Sequence, residues 1–572
     1  MPLPSPSPAI AGLVPYTVPR HPAPVDLVLD GIGGLPAPRD LFARLATADP
    51  EVLVRAYPDS TALATRLAAH LGVERERVLV TAGGDDALDR ACRAWLAPGR
   101  SIVLPVPTFE MIPRYARWAG AEVREVPWPG GPWPIDAVLA AVTPDTTVVA
   151  VVSPNNPTGQ VASAAMLRRL AAALPDVLLL VDLAYVEFAD EDLTPVVTEL
   201  PNAVAFRTLS KAWGLAGLRV GYAVGPADAI AALRVAGNPY SVSGPSLHLA
   251  ESRLEHDGAA SAAFIGQVRA DRDALTAALL GLGVDAQRSQ ANFVFARSPR
   301  ADWLRDGLAG LGIGVRGWPG HPTLGDAVRI NVPGEPLATR RLHAGLRAVL
   351  APEAVLFDVD GVLVDVSRSY REAVRATAAR WGVLVSAEDI AAAKAAGDAN
   401  NDWVLTQRLL AAHGVEVPLA EVTRRFEELY QGHAGSPGLK HRETARLSRV
   451  ELEALAARYP LALVTGRPRR DAMELVEREG WSGLFRAAVC MGEAAPKPDP
   501  APVRAALAAL GVGSAWMLGD TVDDVRAARA AGVVPLGIVA PGEDPERAAP
   551  LLLRAGAARV LPTPSDLAGL LP

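Results

Sequence analysis

A lysine in a glycine-punctuated loop is the first residue of this sequence with a chemical environment of its own. Lys211 lies within residues 208–222, beside Ser210 and eight residues before Arg219. A lysine after a strand is by default a solvated surface charge. An aldehyde cofactor, however, needs a lysine amine to form a Schiff base, and its phosphate needs hydroxyls and an arginine. Residues 208–222 supply all three, so they predict a site for a phosphorylated aldehyde.

Polar residues after earlier apolar segments fit the same site. Asp182 ends the apolar run 177–181, where a carboxylate is unfavourable unless it is paired. A pyridinium nitrogen would pair it, and Tyr185 is placed to hydrogen-bond a ring hydroxyl. The loop 82–87 joins a strand to a helix, where backbone N–H groups bind anions. The turn 153–159 also follows a strand, although a turn by itself is unremarkable.

A second set of reactive residues begins at Asp358 and Asp360, directly after the apolar run 354–357. Two aspartates in this spacing also occur in structural loops. Three more polar segments follow at predicted strand ends, at 463–467, 495–500 and 518–524. Together they offer a carboxylate nucleophile, a second carboxylate for the leaving-group proton, carboxylates for a hard cation, and a lysine and hydroxyl for phosphate oxygens. This set predicts metal-dependent phosphoryl transfer.

The elements that must position both sets alternate between short apolar runs and helical periodicity. The runs that predict strands are 77–81, 146–153, 177–181 and 203–207. Continuous Val/Leu runs of this kind indicate parallel strands buried on both faces, and therefore α/β layers. After Gly244 the pattern becomes a long helical stretch, and a new α/β series starts at Ala354, interrupted by a helical insert between Ser367 and Tyr459. Only 351–353 connect the two series, a span of ~10 Å, which predicts docked halves.

Composition narrows the classes of function. The 572-residue chain has a formal net charge of −7, which argues against a nucleic-acid partner. No apolar run approaches the ~18 residues that cross a bilayer, and we expect no secretory signal at the start. Cys92 and Cys490 lie outside any metal-ligand spacing, so the sequence predicts a cytoplasmic protein whose reduced thiols simply pack.

The first set, in this order along the chain, resembles the fold-type I aminotransferases, most closely the histidinol-phosphate aminotransferase branch. The resemblance runs from Pro15 and Tyr16 to Leu350 and includes 55–59, 107–109, 239–243, 289–293 and 328–330. It implies a pyridoxal-phosphate-dependent α/β transferase fold over 1–350. In that fold the large α/β domain spans about 40–243, and a small α+β domain combines 1–39 with 244–350. It also implies pyridoxal 5'-phosphate as cofactor and a homodimer formed through this half.

The same resemblance implies roles for individual residues. Lys211 would form the Schiff base and shuttle the proton, Asp182 would pair with the ring nitrogen, and Phe109 would stack on the ring. Asn156 and Tyr185 would hold the ring hydroxyl. The residues implied for the cofactor phosphate are Gly84, Asp85, Ser210 and Arg219, with Tyr57 from the other subunit.

For the substrate, the resemblance implies that Arg329 grips the amino-acid carboxylate, that Arg316 binds a substrate phosphate, and that Tyr16 lies at the substrate. Arg316 is also open to the simpler interpretation of a surface residue. Two positions depart from the family pattern. Residues 29–34 replace the usual Asn-Glu-Asn-Pro segment beside the substrate, which weakens the substrate assignment and leaves cofactor chemistry intact. Leu183 stands where the family usually has an acidic residue, and this difference puts no catalytic role in doubt.

The second set resembles the four motifs of the haloacid dehalogenase superfamily across 353–572, with the helical insert at about 366–459 as its α-helical cap. The implied Rossmann-like domain would bind Mg²⁺. Asp358 would be nucleophile and metal ligand, and Asp360 the acid/base, also offering a backbone carbonyl to the metal. Asp360 favours a phosphatase over a dehalogenase. The remaining implied residues are Thr465 and Lys497 for phosphoryl oxygens and Asp520 and Asp524 for the metal, with Asp523 less favoured by spacing.

The cap is where this superfamily sets specificity, and Lys394 and 397–403 are our candidates. Helix capping by the Asn-Asn-Asp run at 400–402 is an equally good interpretation.

Three functions fit the sequence. The first hypothesis is a bifunctional enzyme of histidine biosynthesis that transaminates imidazole-acetol phosphate with glutamate and then hydrolyses histidinol phosphate to histidinol. In the second, both chemistries act on another phosphorylated keto compound or an aromatic keto acid. The third makes the second half a silent regulatory module. In the first two, the partners are small molecules: an amino donor, a keto acceptor and a phosphate monoester.

Overall fold

The structure, a computed structural model, describes residues 7, 9–10, 12–31, 33–396, 401–433 and 436–572. The chain forms two compact units. The first contains the described residues up to Val18 together with Leu29–Ser298 and Ala327–Thr339. The second contains Pro19–Val28, Pro299–Asp326 and Arg340–Pro572. The domain limits inferred from the sequence stay a prediction.

Strands and helices alternate over the first part of the chain, as the apolar runs predict. The strands are β1 (Leu27–Leu29), β2 (Val78–Thr81), β3 (Ser101–Val106), β4 (Glu122–Pro127), β5 (Thr146–Val152), β6 (Leu178–Asp182), β7 (Ala203–Thr208), β8 (Gly221–Val224), β9 (Asp285–Ala286), β10 (Phe293–Arg297), β11 (Ile313–Gly317) and β12 (Ala327–Asn331). The helices are α1 (Thr61–Leu71), α2 (Gly83–Trp95), α3 (Met111–Trp118), α4 (Ile135–Ala141), α5 (Ala164–Ala173), α6 (Thr194–Glu199), α7 (Ala227–Val235), α8 (Gly244–His256), α9 (Gly258–Gly281), α10 (Ala301–Gly310) and α11 (Pro336–Leu350).

A seven-stranded sheet forms the centre of the first unit, in the order β2-β8-β7-β6-β5-β3-β4. The pairs from β7 through β6, β5 and β3 to β4 are parallel, whereas β8 is antiparallel to both β2 and β7. Its central strands are buried on both faces by two apolar clusters, which is why their sequences lack polar alternation. In the same unit, β10 pairs antiparallel with β9 and β12.

The second part of the chain repeats the alternation. Its strands are β13 (Ala354–Phe357), β14 (Val364–Asp365), β15 (Gly432–His433), β16 (Ser436–Pro437), β17 (Thr444–Ala445), β18 (Leu461–Val464), β19 (Phe485–Val489), β20 (Ala515–Gly519), β21 (Val534–Ile538) and β22 (Arg559–Leu561). Its helices are α12 (Tyr370–Ala379), α13 (Ala387–Ala396), α14 (Asp402–Ala412), α15 (Leu419–Gln431), α16 (Arg449–Ala456), α17 (Arg469–Arg478), α18 (Ala501–Leu510), α19 (Val522–Ala530), α20 (Pro545–Ala555) and α21 (Leu567–Leu570).

A parallel six-stranded sheet, β19-β18-β13-β20-β21-β22, forms the core of the second unit. The insert between β14 and β18 is mainly helical, as expected. It also contains the two-residue strands β15 and β16, which pair with each other, and β17, which pairs with β14. Because all five pairings of the sheet are parallel, the carboxyl ends of its strands share one edge. Ligands bind at this edge in sheets of this type.

Residues on either side of the short connection at 351–353 pack against each other within the second unit. Helix α11 ends at Leu350 and β13 begins at Ala354. The indole N–H of Trp516 in β20 donates to the carbonyl of Ala348 at 2.8 Å, and its ring lies 4.5 Å from that of Trp303. The end of α11 therefore packs on the six-stranded sheet.

No helix in the described ranges is both long and apolar enough to cross a membrane. Cys92 and Cys490 are buried free thiols, and burial raises their pKa values to about 12 and about 11. Both thiols pack, as the sequence predicts, and neither is in a reactive state near neutral pH.

Candidate functional site

The first candidate site forms around Asp182 and Lys211, which end or follow the adjacent parallel strands β6 and β7. The Lys211 ammonium lies 5.3 Å from the centre of the Tyr185 ring. Asp182 accepts a hydrogen bond from the N–H of Ala184 at 3.0 Å. Burial raises the pKa of Asp182 to about 7, against the lowering effects of that N–H and of Lys211. A buried carboxylate of this kind is suited to a cationic ring nitrogen.

Gly83, Arg219 and Gly221 form a narrow cradle at the start of α2. The Arg219 guanidinium binds Asp85 at 2.9 Å, and a Cβ on Gly83 would lie 2.7 Å from Nη2 of Arg219. A Cβ on Gly221 would lie 2.5 Å from the carbonyl carbon of Gly83, so these glycines allow the backbone to approach closely. Arg219 itself has a left-handed φ of 52°, a conformation that non-glycine residues adopt mainly at constrained sites.

The hydroxyls beside this cradle are also in place. Thr208 donates to Oγ of Ser210 at 2.8 Å, and the N–H of Ser210 donates to Oγ1 of Thr208 at 3.1 Å. Gly84 lies in the first turn of α2, where N–H groups point out of the helix. Helix terminus, hydroxyls and arginine together are suited to a phosphate group.

Arg329 lies beside Asn156, one of the residues predicted to hold a cofactor ring. Its guanidinium donates to Oδ1 of Asn156 at 2.6 Å and to the carbonyl of Asp30 at 2.7 Å, and it lies 5.0 Å from the centre of the Phe293 ring. The planar guanidinium of an arginine is suited to bind a carboxylate, and the role predicted for Arg329 stays a prediction.

The segment at 29–34, which departs from the family pattern, lies against these same residues. Asn292 donates to the carbonyl of Gly33 at 3.1 Å. A Cβ on Gly34 would lie 2.2 Å from the carbonyl oxygen of Lys211. Its glycines therefore bring the backbone directly against the lysine loop.

Three predicted residues lie in less enclosed positions. Tyr57 is 80% exposed, and its ring stacks on that of Tyr240 at 4.6 Å. Tyr16 is 46% exposed, and Arg114 lies 5.8 Å from its ring centre. Phe109 is half-buried against the apolar cluster on one face of the sheet. The roles of all three stay predictions.

Arg316 belongs to β11, in the second unit. It is 5% exposed and lies 5.3 Å from the centre of the Trp318 ring. The interpretation as an ordinary surface residue is therefore wrong, while its role toward a substrate phosphate stays a prediction.

The second candidate site lies at the carboxyl edge of the six-stranded sheet. Lys497 binds Asp358 at 2.7 Å, Asp524 at 2.5 Å and the carbonyl of Val464 at 3.0 Å. Burial opposes the charge of Lys497, but the two carboxylates raise its pKa above the ordinary value. Burial likewise raises the pKa of Asp358 to about 7, while Lys497 lowers it.

Three buried carboxylates converge at this edge. Oxygens of Asp358, Asp520 and Asp524 all lie within 4.8 Å of one another, an all-oxygen set that fits a hard divalent cation such as Mg²⁺. Asp524 also completes the capping box of α19, whose N-cap is Thr521, by accepting from the N–H of Thr521 at 3.0 Å. Asp523 is buried but lies outside this group, 4.0 Å from Arg526, in line with the spacing argument.

Thr465 and Asp360 complete the residues that the sequence predicts. Thr465 follows β18, is buried, and accepts from the N–H of Arg467 at 3.1 Å. Asp360 accepts from Nε of Arg467 at 2.8 Å. Arg467 lies within the motif at 463–467, but the sequence did not predict a role for it. Its pairing with Asp360 depends on two segments that are distant in the chain.

The structure describes some of the cap candidates. Asn401 caps α14 and accepts from the N–H groups of Trp403 and Val404 at 3.0 and 3.1 Å, which confirms the helix-capping interpretation for this residue. Residues 397–400 and the side chain of Lys394 lie outside what the structure describes.

Comparison with protein families agrees with this geometry. The family model of aminotransferase class I and II matches residues 40–340. The chain belongs to this family. The model of haloacid dehalogenase-like hydrolases matches 352–532, so the protein is a fusion of an aminotransferase with a hydrolase domain, both from enzyme families. This aminotransferase–hydrolase fusion has the predicted fold class.

Three relatives and one solved structure describe the similarity. The fusion is 32% identical over 327 residues to histidinol-phosphate aminotransferase of Granulibacter bethesdensis, covering 53% of this chain and 86% of that protein. It is 38% identical over 260 residues to aromatic amino acid aminotransferase of Mycobacteroides abscessus, covering 44% and 74%. It is 44% identical over 197 residues to imidazoleglycerol-phosphate dehydratase of Phytophthora nicotianae, covering 33% of this chain and only 44% of that protein. The crystal structure of histidinol-phosphate aminotransferase from Sinorhizobium meliloti in complex with pyridoxal-5'-phosphate has a TM-score of 0.54 at 24% identity, covering 60% and 97%, and shows the shared fold.

Proposed function

We propose that the protein is a bifunctional enzyme of histidine biosynthesis. Its first site would transaminate imidazole-acetol phosphate with glutamate, and its second would hydrolyse the resulting histidinol phosphate to histidinol. The observation that carries the proposal is the retention of both reactive sets in one chain: Lys211 with Asp182, and Asp358 with Lys497. A silent regulatory second half would not need a nucleophile, a phosphate-binding lysine and a carboxylate trio together.

In the first site, the residues fit pyridoxal phosphate, which when bound supplies an electron sink for the substrate carbon. The buried Asp182 would keep the ring nitrogen protonated, because a cation there compensates the carboxylate. Asn156 and Tyr185 would hold the ring hydroxyl, and Phe109 the ring face. Lys211 would move the proton to and from the substrate carbon.

Two further sets of residues in the first site would bind the cofactor phosphate and the carboxylate of glutamate. Gly84, Asp85, Ser210 and Arg219 surround the start of α2, where a cofactor phosphate would bind. Arg329, close to Asn156, would orient the carboxylate of glutamate. Tyr57 would reach the phosphate of a second copy in a homodimer, and its 80% exposure leaves it accessible for that contact. We also propose that the enzyme is cytoplasmic.

In the second site, Asp358 would attack phosphorus while Asp360 protonates the departing alcohol; Asp360 would then activate the water that hydrolyses the phosphorylated Asp358. Lys497 and Thr465 would hold the phosphoryl oxygens. Asp358, Asp520 and Asp524 would hold Mg²⁺, which when bound neutralises phosphate charge.

The names of two relatives support the choice of substrate, since both refer to phosphorylated imidazole compounds. Chemistry supports the order of the two reactions. Transamination exchanges one amine for another and stops near equilibrium, and hydrolysis of the phosphate would pull it forward.

A second candidate is the same pair of chemistries on an aromatic keto acid and an unrelated phosphate ester. The similarity to aromatic amino acid aminotransferase and the altered segment at 29–34 favour it. A substrate screen distinguishes the two candidates, with amine formation and phosphate release measured separately on imidazole-acetol phosphate and on phenylpyruvate. Good amination of imidazole-acetol phosphate supports the first candidate. Amination of phenylpyruvate alone would replace it with the second.

A further inference from the structure

A buried arginine connects the proposed acid/base residue to the cap. Arg467, just after β18, is 2% exposed. Its Nε donates to Oδ1 of Asp360 at 2.8 Å, and its Nη2 contacts the same oxygen. Two N–H groups of one planar guanidinium therefore hold one carboxylate oxygen, which restricts the rotation of the Asp360 side chain.

The other side of this guanidinium faces the helical insert. Nη2 and Nη1 donate to the two oxygens of Glu443 at 3.0 and 3.3 Å, and Nη1 also donates to the hydroxyl of Tyr430 at 3.1 Å. The ring of Tyr370 lies 4.9 Å from the guanidinium carbon. Tyr370 belongs to α12 and Tyr430 to α15, so Arg467 contacts two helices of the cap.

Glu443 anchors this arrangement. It accepts from Ser369 at 3.0 Å, from Tyr430 at 3.1 Å and from Arg478 at 2.8 Å. Burial disfavours its charge, but Arg467 and Arg478 lower its pKa. The positive charges of Arg467 and Arg478 thus compensate the negative charges of Asp360 and Glu443. Charged groups in such a buried network are fixed in place because each needs the others to compensate its charge.

We propose that Arg467 is a positioning residue for the hydrolase reaction: it holds the Asp360 carboxylate in place for proton transfer and ties that carboxylate to the cap through Glu443 and Tyr430. This inference rests on the proposed phosphatase function, in which Asp360 protonates the departing oxygen. Proton transfer needs the acid within hydrogen-bond reach of that oxygen. Arg467 does not touch the substrate in this account.

The dependence on the leaving group tests the proposal. Arg467→Lys keeps the charge but loses the planar fork that bridges two carboxylates. Phenyl phosphate, a poor leaving group, needs protonation of the departing oxygen, whereas 4-nitrophenyl phosphate does not. We expect kcat/KM of the Arg467→Lys protein with Mg²⁺ to fall about 10²-fold for phenyl phosphate and less than roughly threefold for 4-nitrophenyl phosphate.

Arg371→Lys is the matched control, because Arg371 of cap helix α12 binds Glu543 and the carbonyl of Pro541 rather than Asp360 or Glu443, and it should leave the ratio of the two kcat/KM values unchanged. Because the transaminase site lies in the other unit, folding of the variant is checked by its thermal unfolding against that of the wild type. If Arg467→Lys fails to fold, Glu443→Gln should shift the ratio in the same direction, because it removes an anchor of Arg467. Equal losses on both substrates, or an unchanged ratio, would overturn the role of Arg467. Absence of phosphate release by the wild-type protein from both aryl phosphates and from histidinol phosphate would instead reject the phosphatase function itself.

Discussion

The ammonium of Lys497 lies 2.7 Å from the carboxylate of Asp358, at the edge where β13 and β18 end. Both side chains are buried, and each compensates the other's charge. The lysine faces Asp524 as well, so the cation stands between the proposed nucleophile and a proposed metal ligand. A phosphate arriving at this edge would meet a positive charge directly beside the attacking oxygen.

Asp358→Asn keeps the shape of the side chain and removes the nucleophile. Phosphate release from a monoester should fall by at least about 10³-fold, while transamination continues. Asp523→Asn, a buried carboxylate outside the metal group, is the control and should lose far less. Phosphate release by Asp358→Asn at most of the wild-type rate would reject the aspartate-nucleophile mechanism.

Removal of divalent cations should separate the two activities. The carboxylate trio of Asp358, Asp520 and Asp524 is the proposed Mg²⁺ site, so chelation with EDTA should abolish phosphate release and added Mg²⁺ should restore it. Transamination in the same sample should not change. Undiminished phosphate release in EDTA would contradict the metal site.

Lys211→Ala tests the first site. The purified wild-type protein should show the visible absorption of a lysine-bound pyridoxal cofactor, and the variant should lose both that band and amine formation. Its phosphate release should match the wild type. An unchanged spectrum in the variant would show that another lysine holds the cofactor.

Asp182 makes the stability of the cofactor-free protein depend on pH. Burial raises its pKa from 3.8 to about 7, so the folded state binds this proton more tightly than the unfolded state. Its contribution to stability is present below pH 4 and is lost as pH rises to about 7, by up to about 4 kcal/mol.

Asp182→Asn should remove that loss and also weaken cofactor binding. The unfolding free energy of the cofactor-free variant, minus that of the wild type, should therefore increase between pH 4 and pH 8. Other groups, including Asp358, are common to both proteins and cancel in the difference. A difference that does not vary with pH would contradict the burial argument.

The sequence predicted most of the framework because buried parallel strands leave continuous apolar runs. The runs at 146–153, 177–181 and 203–207 became β5, β6 and β7 with shifts of one residue at their ends. Polar residues after such strands then meet at one sheet edge, as Asp358 does directly after β13. Lys497 lies eight residues beyond the end of β19, and its role was predicted from the family resemblance. The small strand pairs β14–β17 and β15–β16 were missed because two-residue strands carry no periodicity.

The sequence also did not predict polar contacts between residues that are distant in the chain. Arg467 and Asp360 are 107 positions apart, and Arg329 reaches the carbonyl of Asp30 across 299 positions. Every residue has a backbone carbonyl, so residue type does not indicate which carbonyl accepts a hydrogen bond. An arginine in a motif likewise does not indicate which carboxylate it will bind. Such contacts follow from how elements pack, not from local pattern.

The most direct test of the account is the product balance of the full-length protein given imidazole-acetol phosphate, glutamate and Mg²⁺. We predict that the wild-type protein releases histidinol and inorganic phosphate in equal amounts. The Asp358→Asn protein should accumulate histidinol phosphate without releasing phosphate. Failure of the wild-type protein to aminate imidazole-acetol phosphate, alongside good turnover of a different keto compound, would contradict the proposed pathway.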